Sequence, residues 1–87
     1  MKPIRATVRI RGRVQGVSFR YYTSRTAEAH QVTGWVRNLP DGDVEAVFEG
    51  GETAVRQLLD WCRQGPAGAR VEELSIHWEE YRGEFDG

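Results

Sequence analysis

One stretch of the chain combines residue types that could hold an anion. Gly12-Arg13-Val14-Gln15-Gly16-Val17-Ser18-Phe19-Arg20 sets two glycines four positions apart and closes on an arginine. Glycine lets a backbone curl and approach a ligand closely, so that successive N–H groups turn inward as an anion-binding nest. If a helix opens where this stretch ends, its first amides lack intrahelical acceptors and its dipole favours negative charge. Arg20 would add a permanently charged fork that meets two phosphate oxygens at once, which lysine does less well. The chemistry suggested is phosphate binding. Glycine loops are common, however, and an arginine near a helix start can simply be solvated, so the pattern alone leaves both readings open.

Other chemistries find less support. No Lys-Ser or Lys-Thr follows the second glycine, and the three-glycine dinucleotide pattern is absent, which argues against nucleotide cofactors. His30 and His77 stand far apart in sequence and Cys62 stands alone, without paired metal-ligand spacing. The expectation is therefore no metal, no cofactor and no covalent intermediate. His30 reads as the end of a helix, His77 as a strand-face residue and Cys62 as a small core residue.

Charge points to the same third of the chain. The net charge is −1, yet residues 1–27 hold seven of the twelve basic residues and no acid, while residues 28–87 sum to −8. An anion site belongs in the first third, although these arginines could equally line the solvated face of a strand. A near-neutral chain is not expected to bind nucleic acid or membranes nonspecifically. One cysteine and no long apolar run make a reducing, cytoplasmic setting the default expectation.

The elements that must position the loop follow from periodicity. Ile4, Ala6, Val8 and Ile10 alternate with Arg5, Thr7, Arg9 and Arg11, the pattern of a strand with one buried face. Phe19, Tyr22, Thr23, Thr26, Ala27 and His30 recur at helical spacing. Strands are predicted over Val32–Leu39 and Val44–Glu49, joined at Pro40-Asp41-Gly42-Asp43. Val55, Leu58, Leu59 and Cys62 form one stripe of a second helix running from near Glu52 to before Gly65-Pro66. Val71, Leu74, Ile76 and Trp78 mark a fourth strand whose start the Glu72-Glu73 pair blurs. The order β-α-β-β-α-β predicts an α+β, ferredoxin-like sandwich: one domain over residues 1–87, with two helices on one face of an antiparallel sheet.

Gly12 to Arg20 resembles the first signature of the acylphosphatase family, and Gly34-Trp35-Val36-Arg37-Asn38-Leu39-Pro40-Asp41-Gly42 is similar to its second. The resemblance continues through Val44-Glu45-Ala46, Leu58, Leu59, Trp61 and Gly65-Pro66 to Val71, nearly the whole chain. It implies a ferredoxin-like fold and hydrolysis of the carboxyl-phosphate anhydride of small acyl phosphates, releasing inorganic phosphate. It also implies that Arg20 and the loop amides of Gln15, Gly16, Val17, Ser18 and Phe19 bind the phosphate, while Asn38 orients the attacking water. Strands one and two run parallel in such a sheet, so Arg20 and Asn38 are expected to converge at one edge.

Two departures from the family stand out. Relatives carry glycine where this chain has Gln31, after the first helix, at a position suited to left-handed dihedrals. The family closes on a fifth strand beside strand two, whereas this chain stops at Glu84-Phe85-Asp86-Gly87, so a shortened terminal strand is expected. The competing functions are a non-catalytic module binding acyl or carbamoyl phosphate, and an RNA-binding ferredoxin-like module using Trp35, Trp61, Trp78, Tyr21 and Tyr22. Against the latter, Val44 to Gly50 lacks the aromatic consensus of the RNA-recognition fold, and packing of helices on the sheet explains these aromatics more simply. A free-standing, monomeric enzyme is the expectation.

Overall fold

The computed structural model describes residues 2–16 and 18–85. Its elements are β1 (Pro3–Arg13), α1 (Phe19–Ala29), β2 (Thr33–Asn38), β3 (Val44–Gly51), α2 (Glu52–Gln64) and β4 (Arg70–Glu79), in the expected order. The strands form one sheet in the order β2-β3-β1-β4, with every neighbouring pair antiparallel. Both β1 and β2 therefore run opposite to β3 and parallel to each other. Ile10 of β1 and Asn38 of β2 face the same β3 residue, Val44, from opposite sides.

Period-two alternation divides the sheet into two faces. Ala6, Val8 and Ile10 join Val44, Ala46 and Phe48 in the core, with Leu74, Ile76 and Trp78 packed against them. Both helices cover this face. α2 contributes Val55, Leu58, Leu59 and Cys62, the predicted stripe. Burial pushes the Cys62 thiol up to about 12, which leaves it an inert core residue. α1 contributes Phe19 and Thr23. Phe19 meets Trp61 of α2 at 5.8 Å between ring centroids. Tyr22, placed by its spacing on the inner stripe, is 46% exposed and stacks edge-on against exposed Tyr21 instead. The inner stripe is narrower than the spacing suggested because Phe19, Thr23 and Ala27, one turn apart, suffice to cover the sheet. Trp35 also lies outside the core, beneath the Arg37 guanidinium at 5.0 Å, so packing accounts for Trp61 and Trp78 but not for Trp35, Tyr21 or Tyr22.

The break in alternation at Glu72-Glu73 is a bulge. Arg11 pairs with Glu73 but Gly12 pairs with Val71, which leaves Glu72 as an extra residue on β4 and keeps Val71 and Leu74 on the same side.

The opposite face of the sheet disposes of the strand arginines. Arg5 is buried and reaches Glu49 at 3.3 Å, Glu79 at 3.2 Å and Glu84 at 2.6 Å. Arg9 donates to Asp43 at 2.8 Å and also pairs with Asp41. Residues 80–85 cross this face as irregular chain, with the Arg82 N–H donating to buried Glu49 at 2.7 Å and the Phe85 ring 5.2 Å from the Arg5 guanidinium carbon. Among the described residues no strand follows Glu79, and β2 has no neighbour on its outer side. Asp86 and Gly87 lie outside the described residues.

α1 ends in a Schellman arrangement: the Val32 N–H bonds the Ala27 carbonyl at 2.9 Å and the Gln31 N–H bonds Glu28 at 3.1 Å. Gln31 sits at φ 59°, the left-handed conformation expected there. A side chain in that region costs about 1 kcal/mol or more relative to glycine. Gln31→Gly should therefore raise the melting temperature by roughly 4–8 °C in a domain of this size, measured by thermal circular dichroism.

Two carboxylates on this side are held below their ordinary range. The Asp43 N–H, reinforced by Arg9 and opposed by partial burial, does this for Asp41. At Glu79 partial burial acts upward but is outweighed by the Thr7 hydroxyl, Arg82 and Arg5. A depressed native pKa stabilises the fold above the unfolded value, near 3.9 for Asp and about 4.3 for Glu, and that stability is lost as pH falls through the native value. Melting temperature should hold down to about pH 5 and decline below about pH 4, with both carboxyls titrating below those values by carbon-13 NMR. A flat profile to about pH 2 would contradict the assignment.

Candidate active site

The site assembles where β1 and β2 end. Gly12 lets β1 stay paired with β4 up to Arg13: at φ 134°, an added Cβ would stand 2.0 Å from the Arg70 carbonyl oxygen. Beyond Arg13 the chain dives inward at Val14 and again at Phe19, each 1% exposed, so the intervening loop is anchored in the core at both ends. Between these anchors Gly16 and Ser18 are exposed. Gly16 takes φ 75° with open space where a Cβ would be, so conformation rather than crowding demands glycine there. Ser18 adopts φ 60° and ψ 28°, a left-handed conformation that serine reaches only at a cost of about 1–2 kcal/mol. The Ser18 side chain does not cap α1, and the Ser18 carbonyl accepts the Tyr22 N–H at 3.1 Å. The first amides of α1 thus point out of the helix toward the loop, where an anion would be held. Val17 lies outside the described residues.

Arg20 is exposed on the first turn of α1, and among the described residues its guanidinium meets no carboxylate. Arg5 and Arg9 are occupied by acids, and Arg11 lies 3.9 Å from both Asp43 and Glu73. Three of the seven basic residues of the first third are thus engaged within the sheet. Arg20 remains available beside the loop.

Asn38 closes β2, exposed, at the same end of the sheet. The contact joining it to the loop comes from Gln15. The Gln15 side-chain Nε2 donates to the Leu39 carbonyl at 2.8 Å and to the Asp43 carbonyl at 2.9 Å. Leu39 is the residue after Asn38, so loop and hairpin are fastened together next to Asn38. The sequence marked Gln15 only through its backbone amide. No local signal exposes the side-chain role, because its partners lie 24 and 28 residues away and become neighbours only through the topology.

Other candidates fall away from this place. His30 caps the C-terminal end of α1 and His77 sits on exposed β4, 3.9 Å from Glu79. Among the described residues no three His, Cys, Asp or Glu side chains gather as a ligand cluster. A groove of about 570 Å³ runs between α1 and β2, lined by Thr23, Ala27, Val32, Gly34 and Trp35 among others, and includes neither Arg20 nor Asn38. The arrangement at the loop is an open surface, not an enclosed pocket, with Arg20 and the start of α1 on one side and Asn38 at the same end of the sheet.

Comparison with known proteins agrees with this geometry. The family model described as Acylphosphatase matches residues 6–87. A curated acylphosphatase of Chloroflexus aurantiacus is 59% identical over 95% of this chain and 90% of its own length. One from Geotalea uraniireducens is 54% identical over 95% and 91%. The crystal structure of acylphosphatase from Bacillus subtilis superposes with a TM-score of 0.91 at 30% identity, covering 94% of this chain and 91% of that one. With the loop, the uncapped helix start and the hairpin asparagine all falling within the matched span, this chain belongs to the acylphosphatase family.

Proposed function

We propose that this chain hydrolyses small acyl phosphates, with Arg20 and the amides of residues 15–19 holding the phosphate and Asn38 holding the attacking water. The observation that carries this reading is the fastening of the loop to the hairpin beside Asn38 through Gln15 at 2.8 and 2.9 Å. It supports a reading in which the loop and Asn38 act together at one end of the sheet.

The reaction asks little of the protein. An acyl phosphate is a mixed anhydride whose leaving group is a carboxylate, a weak base with a pKa near 4. The enzyme must place water in line and stabilise charge spread over the phosphoryl oxygens. The water oxygen bonds to phosphorus, the bond from phosphorus to the acyl oxygen breaks, and the acyl group departs as carboxylate. Asn38 can accept and donate hydrogen bonds to water but cannot take its proton at neutral pH. That proton passes to a non-bridging phosphate oxygen, making the step substrate-assisted. The chemistry is proposed to need neither metal nor cofactor.

The acyl group would meet open surface, so the reading extends to acyl phosphates as a class. An RNA-binding role is disfavoured because the helix-free face of the sheet is occupied: Arg5 is bound to buried Glu49 and to Glu79, Arg37 to Glu45, and residues 80–85 cross over it. We further propose a monomer working in the cytoplasm. The one cysteine, Cys62, is buried and free, and no helix among the described residues is long and apolar enough to cross a membrane.

The test is the loss of benzoyl phosphate, followed by ultraviolet absorbance with excess EDTA. The wild type should turn over, while Arg20→Ala and Asn38→Ala, each checked for folding, should lose at least about 10²-fold in kcat/KM. A folded wild type that binds inorganic phosphate without hydrolysing benzoyl phosphate would favour a binding-only module.

A further inference from the structure

Gln15 stands out among the polar residues near the site because its side chain spends both amide hydrogens on backbone carbonyls of another element. Those carbonyls are the two that close the hairpin turn. The Leu39 N–H donates to the Asp43 carbonyl at 2.8 Å, and the Gly42 N–H donates to the Leu39 carbonyl at 3.1 Å. Each carbonyl oxygen has two acceptor sites. One is filled from within the turn and the other by Gln15, so the side chain completes the hydrogen bonding of the turn rather than resting against it. Two carbonyl partners also fix the orientation of the amide, with nitrogen toward the hairpin.

The other side of the turn is held from β1. Asp43 takes the Arg9 Nε–H at 2.8 Å, and its own N–H donates to Asp41 Oδ1 at 3.0 Å. The turn is thus clamped between β1 and the loop. Asn38, immediately before Leu39, lies at the exposed end of β2, the outer strand of the sheet among the described residues. Pairing with Val44 locates its backbone along the strand. The Gln15 bridge ties the residue after Asn38, Leu39, to the loop.

We infer that the side chain of Gln15 is a positioning residue, which holds the Asn38 end of β2 at a fixed separation from the phosphate loop and so sets the angle at which water meets the bound phosphate. This rests on the proposed water-placing role of Asn38. It differs from any contribution of the Gln15 backbone N–H to phosphate binding, because the side chain faces the hairpin. The consequence is a division of labour: substitutions that remove the side-chain donor disturb water placement and leave the phosphate cradle in place.

Gln15→Met keeps length and bulk but removes both donors. It should lower kcat for benzoyl phosphate by about 10- to 100-fold, the scale of a misplaced reacting group. Competitive inhibition by inorganic phosphate should change by less than about threefold, since the cradle amides and Arg20 are untouched. In an Asn38→Ala background the same substitution should cost almost nothing further, because the residue it positions is gone. A general loss of stability would instead lower activity equally in both backgrounds. Unchanged kcat in Gln15→Met, equal losses in both backgrounds, or a loss confined to phosphate affinity would each overturn the inference. Full kcat in Asn38→Ala alone would overturn the water-placing reading beneath it. A measurement on the wild type needs no variant. The Gln15 side-chain amide protons should exchange with solvent more slowly than those of exposed Gln31, Gln57 and Gln64, and equal rates would also count against the bridge.

Discussion

The placement of β3 between β1 and β2 is the constraint on which the site depends. Antiparallel pairing on both sides makes the outer two run the same way, so their last residues arrive at one end of the sheet. Register then sharpens the match, since Ile10 and Asn38 are both opposite Val44. A slip of one residue in either ladder would turn every inward side chain of that strand outward, moving Ala6, Val8 and Ile10 or Ala46 and Phe48 out of the core. The hydrophobic pattern that holds the fold together is therefore the same feature that brings the loop and Asn38 to one level.

Electrostatics follow from that frame. A strand with four outward basic or polar residues, Arg5, Thr7, Arg9 and Arg11, needs acids opposite, and β3, β4 and the hairpin turn supply them. The buried Arg5 cluster with Glu49, Glu79 and Glu84 ties the segment after β4 back onto the sheet. Burying such groups is tolerable only when they are mutually satisfied, which explains why the acids are concentrated on the partners of β1. With those arginines engaged, the cations left near the loop among the described residues are exposed Arg13 and Arg20, beside the amides at the start of α1 that lack intrahelical partners.

Much of this was legible in the residues because it is local. Alternation disclosed β1, spacing disclosed α2 down to its four buried side chains, and the position after α1 was readable as left-handed although Gln31 occupies it. The motif around Gly12–Arg20 is likewise local, a strand end, a glycine loop and a helix start in succession. What stayed hidden depends on distant partners. Neither the Gln15 contact to Leu39 and Asp43 nor the Arg5 cluster can be read from spacing, since each joins elements tens of residues apart. The stray placement of Tyr22 has a related cause: periodicity names a helical face, but only the sheet beneath decides how wide a stripe of it is covered.

The proposed phosphate-binding role asks that the loop be exposed enough to meet substrate and rigid enough not to pay its ordering entropy at each encounter. This chain meets both demands by anchoring rather than by stiffening. Val14 and Phe19, each 1% exposed, fasten the loop into the core on either side of exposed Gly16 and Ser18. Phe19 is held in turn by Trp61 and by close approach to Gly65. Burial of a side chain of that size is worth about 1.5–3 kcal/mol, enough to offset the roughly 1–2 kcal/mol that Ser18 costs in its left-handed conformation. The strain at Ser18 is thus sustained by the core. On the proposed reading this anchoring presets the amides that meet phosphate, and the Gln15 hydrogen bonds carry the same constraint across to the hairpin beside Asn38.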